Sequence, residues 1–305
     1  MSTTNSSRTT VRSLVGHQSV RLVAEVYDGD IGGGCPVVFM LHGGGQNRHA
    51  WTHTASALQR GGYTVVTIDA RGHGDSDWDP TGVYETDDLT HDLIAIHEQM
   101  SRGRPVVAVG ASLGGMTILN AHRHAPPDLW AGVVLVDVTP RMEIAGAKRV
   151  VEFMAAHPDG FVSLQEASDV IAAYNPHRPQ PEKLDGLVKV LRQRDDGRYV
   201  WRWDPAFVIS KADAMNNDAG GSGHRINTIA TQLLDGASRI TAPTLLIRGA
   251  MSDLVSPETV EEFLATVPHA TAVDVSNTGH MVAGDDNDAF TNAITNFLDQ
   301  ISATH

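Results

Sequence analysis

The sequence predicts an α/β protein with a doubly wound, mostly parallel sheet and an inserted, mainly helical lid. Short apolar runs alternate with helix-compatible segments as far as Pro140, which is typical of parallel strands joined by crossover helices. The strand-like runs then stop, and they resume at Pro243. Because the same pattern returns, we expect a core formed by residues 1–140 and 239–305, with the lid at residues 141–238.

The first part of the core alternates predicted strands and helices. Pro36–Leu41 is apolar throughout, as expected for a strand buried on both faces of a parallel sheet. Val20–Tyr27 is an earlier predicted strand, with Thr10–Val15 as its candidate hairpin partner. The elements that follow are helix Ala50–Arg60, strand Tyr63–Ile68, helix Thr86–Met100, strand Val106–Val109, helix Met116–His124 and strand Ala131–Val136.

The lid consists of predicted helical segments separated by two breaks. A proline-rich stretch at Asn175–Pro181 and a Gly/Asn/Asp cluster at Asn216–Gly223 interrupt the helical pattern. The core then resumes with strands Pro243–Arg248 and Ala270–Val275, and it ends with helix Ala289–Ile301.

The composition and the N-terminal residues argue against several kinds of partner and cellular location. The formal net charge of −13 disfavours nucleic acid and anionic membrane surfaces as partners. A single cysteine, Cys35, excludes an internal disulfide framework and fits a reducing compartment. Met1–Thr10 is polar and lacks the apolar core of a secretory signal, and no apolar run has the length of a membrane span. We therefore expect a cytoplasmic protein, with monomer and homodimer both left open.

One turn of the chain carries the strongest chemical signal. The run Val106–Val109 leads into Gly110-Ala111-Ser112-Leu113-Gly114, and a helix-compatible segment follows. Strand, sharp turn and helix form the context in which Gly-x-Ser-x-Gly exposes a nucleophilic serine at a helix N-terminus, where negative charge is favoured. The alternative is an ordinary loop serine between glycines. The strand and helix on either side favour the catalytic interpretation of Ser112.

A serine hydroxyl needs a base to take its proton and an acid to orient that base. Asp253 follows the strand Pro243–Arg248, and His280 follows the last predicted strand, so both are expected at the same edge of the sheet as Ser112. Asp253 as a helix N-cap and His280 as a solvated loop histidine are the alternatives. Asp137, after an earlier strand, is the main competitor for the role of the acid.

The oxyanion of an acyl-transfer reaction requires backbone N–H donors. The amide of Leu113, directly after the serine, is one candidate. The loop His42-Gly43-Gly44-Gly45 supplies the other, with Gly44 as the first choice and Gly43 as the second. Neither a phosphate loop nor a dinucleotide fingerprint fits these glycines, and no pattern of metal ligands is complete, so we expect no cofactor and no metal.

Together these stretches resemble the α/β-hydrolase superfamily. His42-Gly43-Gly44 is similar to its oxyanion loop, the stretch Asp69–Ser76 to its Asp-x-Arg-Gly-x-Gly-x-Ser motif, and Gly110–Gly115 to the nucleophile turn of its lid-bearing esterases. The resemblance implies the α/β-hydrolase fold. A serine at position 112 argues against the dehalogenases and epoxide hydrolases of this fold, which carry a carboxylate there. Met281 stands where its carbon–carbon bond hydrolases often carry tryptophan.

The expected function is therefore a serine carboxylester hydrolase that acts through an acyl-enzyme on a small-molecule ester. The run His42–Trp51 resembles that of bacterial monoalkyl phthalate ester hydrolases, which implies an aromatic or acidic monoester as substrate. A carbon–carbon bond hydrolase of a ring-fission product, transfer of the acyl group to an acceptor other than water, and a non-catalytic small-molecule receptor remain as alternatives.

The lid is expected to set the substrate. Arg48 and Arg141 are candidate ligands for a substrate carboxylate. The other candidate substrate-binding residues are apolar and suit a pocket wall or the core of the lid; they are Met142, Phe153, Met154, Tyr174, Trp201, Trp203, Phe207 and Met215.

Overall fold

The computed structural model describes residues 8–29, 35–176, 183–209, 222–276, 278–279 and 288–303. Its strands are β1 (Thr9–Val15), β2 (Arg21–Tyr27), β3 (Val37–Leu41), β4 (Thr64–Asp69), β5 (Val106–Ala111), β6 (Gly132–Val136), β7 (Leu191–Gln193), β8 (Tyr199–Trp201), β9 (Thr244–Gly249) and β10 (Thr271–Val275). Its helices are α1 (Thr52–Arg60), α2 (Thr86–Met100), α3 (Leu113–His124), α4 (Ile144–Ala155), α5 (Leu164–Tyr174), α6 (Ser222–Ser238), α7 (Pro257–Thr266) and α8 (Asp288–Ser302).

Eight of the strands form one sheet in the order β1-β2-β4-β3-β5-β6-β9-β10. Strands β1, β2 and β4 pair antiparallel, as the predicted hairpin requires, and the pairs from β4 to β10 are parallel. Every residue of β3, β5 and β6 is buried, which explains why these strands are apolar without alternation. The mostly parallel, doubly wound sheet is confirmed.

Helices cover both faces of this sheet. Apolar side chains of α2, α3 and α6 pack with one face, and those of α1 and α8 pack with the other. The two layers bury the sheet between them, so its strand ends are held in a fixed register. Because Leu41 pairs with Gly110, Ala111 with Val136 and Val136 with Ile247, the parallel strands end at one common edge. Ligands of open α/β sheets bind at this edge.

The elements between β6 and β9 differ from the prediction in two respects. Beside α4 and α5, strands β7 and β8 form a two-stranded hairpin that the sequence analysis did not predict. Its turn contains Asp196-Gly197, with a positive φ of 84° at Gly197, and Asp-Gly is a typical hairpin signal. Helix α6, within the predicted lid, packs directly on α3, where a Cβ on Gly236 would lie 2.0 Å from the Leu119 carbonyl oxygen. The boundaries of the lid stay a prediction.

Across the part of the chain described, none of the helices combines the length and the apolar character needed to cross a bilayer.

Candidate active site

Ser112 occupies a strained turn between β5 and α3. Its φ of 43° and ψ of −109° lie in a region that residues with a Cβ rarely adopt. Close packing enforces this turn, since a Cβ on Gly110 would lie 2.5 Å from the Gly114 carbonyl carbon. A Cβ on Gly114 would lie 2.5 Å from the Leu41 carbonyl oxygen. Glycine is therefore required at both positions, and Ser112 is held at the N-terminus of α3, where its environment favours negative charge.

Two backbone amides beside this turn, those of Leu113 and Gly44, are candidates to bind an oxyanion. Within the described chain, neither the Leu113 N–H nor the Gly44 N–H donates a hydrogen bond. Gly43, the second choice, donates its N–H to Gln46 Oε1 at 3.0 Å. The glycine loop lies against the serine, since a Cβ on Gly43 would lie 3.6 Å from the Ser112 Cβ. These contacts favour Gly44 over Gly43 as the second donor.

His42 fixes the orientation of the Gly44 amide. Its Nδ1 donates to the Gly43 carbonyl oxygen at 2.8 Å, and its Nε2 accepts the Ala70 N–H at 3.0 Å. Burial lowers the pKa of His42, so the imidazole is neutral. The Gly43 carbonyl and the Gly44 N–H belong to one planar peptide, so holding the carbonyl directs the N–H the opposite way. The sequence signal for this role is the position of His42 directly before the glycines.

The two candidate acids have different surroundings. Asp253 has a side chain that is 39% exposed, and it forms an ion pair with Arg149 of α4. Asp137 is 1% exposed and has a positive φ of 49°. The Asp137 carboxylate accepts the Gly249 N–H at 3.0 Å and the Ser252 hydroxyl at 2.7 Å. Asp137 also follows β6 in the register position next to Ser112, because Ala111 pairs with Val136.

His280 lies outside the described residues, but the two residues before it are described. Thr278 accepts the Met251 N–H at 2.9 Å. A Cβ on Gly249 would lie 2.5 Å from the Gly279 carbonyl oxygen. The backbone that leads to His280 therefore runs beside Gly249, whose amide binds Asp137.

Residues 36–286 match the sequence profile of the α/β hydrolase fold family. The chain belongs to this family.

Members of the α/β-hydrolase family that resemble this chain include esterases and lipases. Esterase Rv0045c of Mycobacterium tuberculosis is 31% identical over 274 residues, which covers 88% of this chain and 84% of the relative. The sn-1-specific diacylglycerol lipase ABHD11 of Mus musculus is 28% identical, over 86% of this chain and 81% of the relative. This α/β hydrolase is a hydrolase that acts on ester bonds.

Solved structures of the family share the fold. A crystal structure of an α/β hydrolase from Novosphingobium aromaticivorans has a TM-score of 0.79 at 24% identity, covering 97% of this chain and 99% of the other. The structure of the Mycobacterium tuberculosis esterase has a TM-score of 0.72 at 29% identity, covering 97% of this chain and 93% of the other.

The two arginines predicted to bind a substrate carboxylate have protein partners. Arg48 is buried, and its guanidinium pairs with Asp69 and with Asp75, the latter at 2.8 Å. Arg141 is half-exposed, and its Nε lies 2.8 Å from a carboxylate oxygen of Glu262 on α7. Both positive charges are therefore balanced within the chain.

Three of the apolar residues predicted for the lid lie next to the predicted oxyanion loop His42-Gly43-Gly44-Gly45. A Cβ on Gly44 would meet the sulfur of Met154 at 3.6 Å and the ring of Phe207 at 3.8 Å. A Cβ on Gly45 would meet the Trp203 ring at 3.3 Å. Met154, Trp203, Phe207 and Leu113 also belong to one cluster of buried side chains.

Among the other residues predicted for the lid, the aromatic ones pack with one another. Trp201 stacks on Trp203 with ring centroids 4.5 Å apart, and an aromatic row continues from Trp201 through Phe153 to Tyr174. Met142 packs against the apolar cluster that α2, α3 and α6 form with the sheet. Met215 lies outside the described residues.

Proposed function

We propose that this α/β hydrolase cleaves neutral carboxylic esters with an apolar acyl group through an acyl-enzyme on Ser112. The arrangement of Ser112 beside two amides that bind nothing else in the described chain carries this proposal. Preorganised N–H donors of this kind stabilise the negative charge that develops when a nucleophile attacks a carbonyl.

The reaction proceeds in two steps. His280 takes the proton of Ser112 as the Oγ attacks the ester carbonyl, and the Leu113 and Gly44 amides bind the resulting oxyanion. The tetrahedral intermediate collapses, and His280 protonates the alcohol that leaves. In the second step His280 deprotonates a water molecule, which attacks the acyl-serine and releases the acid.

For the orienting acid we favour Asp137 over the predicted Asp253. A carboxylate that orients an imidazole is typically buried and held by several hydrogen bonds. Asp137 meets this description, and the backbone of Gly279, directly before His280, runs beside the Gly249 amide that binds it. The Asp253 carboxylate faces solvent in part and is paired with Arg149.

Charge and polarity around the serine support a neutral substrate. Arg48 and Arg141 each have a carboxylate partner, so binding a substrate carboxylate would require breaking an existing ion pair. The lid side chains above Gly44 are apolar. An acidic monoester such as a monoalkyl phthalate is therefore the weaker candidate.

A set of p-nitrophenyl esters tests the mechanism and the charge preference together. The neutral series runs from acetate to octanoate, and p-nitrophenyl hemiglutarate serves as the anionic partner of the valerate ester. We expect a burst of p-nitrophenol with the parent, no burst with Ser112→Ala, and at least tenfold higher kcat/KM for valerate than for hemiglutarate.

A preference for the hemiglutarate ester would restore an acidic monoester as the favoured substrate. No turnover of any ester by folded protein, with cleavage of a dienol ketone, would favour the carbon–carbon bond hydrolase. No reaction of Ser112 with a serine-directed phosphonate would favour a receptor.

A further inference from the structure

His73 is a buried histidine to which the proposed mechanism gives no role. It follows β4, and its side chain is fully buried. Its Nε2 accepts the Gly45 N–H at 3.2 Å, and its Nδ1 lies 3.1 Å from the Arg71 carbonyl oxygen. A ring nitrogen that accepts an N–H bond carries a lone pair, so the proton of a neutral imidazole resides on Nδ1 and is donated to Arg71. The hydrogen-bond partners thus define one neutral tautomer.

The bond from Gly45 selects the form of the oxyanion loop. Gln46 donates its N–H to the Gly43 carbonyl oxygen at 3.1 Å, Gly45 has a φ of 75°, and Gly44 does not have a positive φ, which together define a type II turn. Because Gly44 and Gly45 occupy the two central positions, a type I turn is also sterically accessible through rotation of the peptide between them. That rotation would turn the Gly45 N–H away from His73. The imidazole therefore stabilises the type II form.

The backbone of His73 connects this loop to the lid. His73 and Trp203 form an antiparallel bridge, in which the Gly74 N–H donates to the Arg202 carbonyl at 2.7 Å and the Asp204 N–H donates to the Gly72 carbonyl at 2.8 Å. These bonds anchor the segment directly after β8.

The His73 ring contacts the lid as well. It packs edge-on against Phe207 with centroids 4.7 Å apart, and Phe207 in turn reaches Gly44. His73 thus contacts the lid through its backbone and its ring, and it contacts the oxyanion loop through Nε2.

We propose that His73 is a positioning residue: by accepting the Gly45 N–H it holds the turn in which Gly44 is the first central residue, and it couples this turn to the docked segment after β8, so that the Gly44 amide stays in place for the oxyanion. This role rests on the proposed acyl-enzyme function. It differs from that of His42, which holds the peptide before Gly44, whereas His73 holds the peptide after it.

Two ketones separate oxyanion stabilisation from ordinary binding. 1,1,1-Trifluorooctan-2-one adds reversibly to a serine: its carbonyl carbon bonds to Oγ, the histidine takes the hydroxyl proton, and the former carbonyl oxygen becomes an oxyanion. Octan-2-one has the same chain and remains a ketone. The inhibition constants of both are measured for the parent, His73→Gln and His73→Leu. Glutamine retains an acceptor where Nε2 lies, and leucine does not. His122→Leu is the matched control, since His122 is also a buried histidine but lies late in α3.

Loss of a whole oxyanion donor lowers kcat by about 10²–10³-fold, so a misaligned donor is expected to weaken oxyanion stabilisation by about 10–100-fold. His73→Leu should raise the inhibition constant of the trifluoroketone by that factor and leave the inhibition constant of octan-2-one within about threefold of the parent. Both inhibition constants of His73→Gln and of His122→Leu should resemble those of the parent.

Equal weakening of both ketones in His73→Leu, or a His73→Gln variant as impaired as His73→Leu, would overturn the positioning role. A parent enzyme that binds both ketones equally would instead refute the acyl-enzyme function on which this role rests.

Discussion

Replacing Asp137 with asparagine gives the most direct test of the catalytic acid. Asparagine keeps the shape of aspartate and one acceptor oxygen, so one of the two bonds from Gly249 and Ser252 is retained. The other faces an amide NH2, and its loss should lower the free energy of unfolding by about 1–2 kcal/mol. The fold should therefore survive.

Activity should respond much more strongly than stability. Without the carboxylate, the histidine is no longer held in the reactive tautomer, and kcat should fall by about 10³–10⁴-fold, equivalent to about 4–5.5 kcal/mol of activation free energy. The assay is steady-state hydrolysis of p-nitrophenyl butyrate, with urea unfolding to confirm that the variant is folded.

Asp253→Asn is the matched comparison. Its side chain is partly exposed, and its ion pair with Arg149 should contribute less than about 1 kcal/mol. We expect kcat within about threefold of the parent, because a partly exposed carboxylate that is already paired with Arg149 is poorly suited to orient the histidine. If Asp253→Asn is inactive while Asp137→Asn retains activity within tenfold, the reasoning from burial is wrong and Asp253 is the acid.

Three further predictions concern stability, substrate size and pH. Arg71→Met should lower the free energy of unfolding by about 3–5 kcal/mol. The buried guanidinium donates to both oxygens of Asp92 at 2.7 and 2.8 Å, and its removal leaves that carboxylate without its cation. Urea unfolding measures this loss, and a value below about 1 kcal/mol would contradict the prediction. Met154→Ala should widen the space above the oxyanion loop and raise the octanoate-to-acetate ratio of kcat/KM by about tenfold, and an unchanged ratio would show that Met154 does not contact the acyl chain. Burial lowers the pKa of His42 and of His122 below the ordinary value of 6.5, so at these two sites the folded protein binds fewer protons than the unfolded chain. The resulting contribution to stability is complete above pH 6.5. It declines as the pH falls below 6.5, by at most about 1.4 kcal/mol per pH unit for each histidine. Urea midpoints at pH 7.5 and 5.5 should show the decline, and His122→Leu, which removes one of the two histidines, should show a smaller one.

The sheet was predictable because its strands carry strong local signals. Runs such as Val37–Leu41 are apolar and end at glycines or turn residues, and α2 has the predicted bounds Thr86–Met100. Helix α3 begins at Leu113, three residues before the predicted start at Met116. Glycines have low intrinsic helix propensity, but close packing of Gly114 on Leu41 determines the local structure. The β7–β8 hairpin has strands of three residues each, too short for a periodic pattern.

The site was predictable only where a motif fixes the geometry. The turn around Ser112 could be inferred from its glycines, because Gly110 meets the backbone of Gly114 four residues later, although Gly114 itself packs on Leu41 of another strand. The choice between Asp137 and Asp253 depends on burial and on contacts with distant segments, which a single sequence does not encode locally. The same applies to Arg48, whose partners Asp69 and Asp75 lie on another segment.

The bridge between His73 and Trp203 ties one part of the predicted lid to the loop after β4. Separating the segment after β8 from the loop after β4 would break two backbone hydrogen bonds and expose the buried Trp203 ring. Helix α4 is held by more than the half-exposed pair between Arg149 and Asp253, because the Glu143 N–H donates to the Leu254 carbonyl at 2.9 Å and a Cβ on Gly146 would lie 2.2 Å from the Asp253 carbonyl oxygen. Both the segment after β8 and helix α4 are therefore tied to loops at the strand ends by backbone contacts, and moving either of them away from Ser112 would cost those contacts.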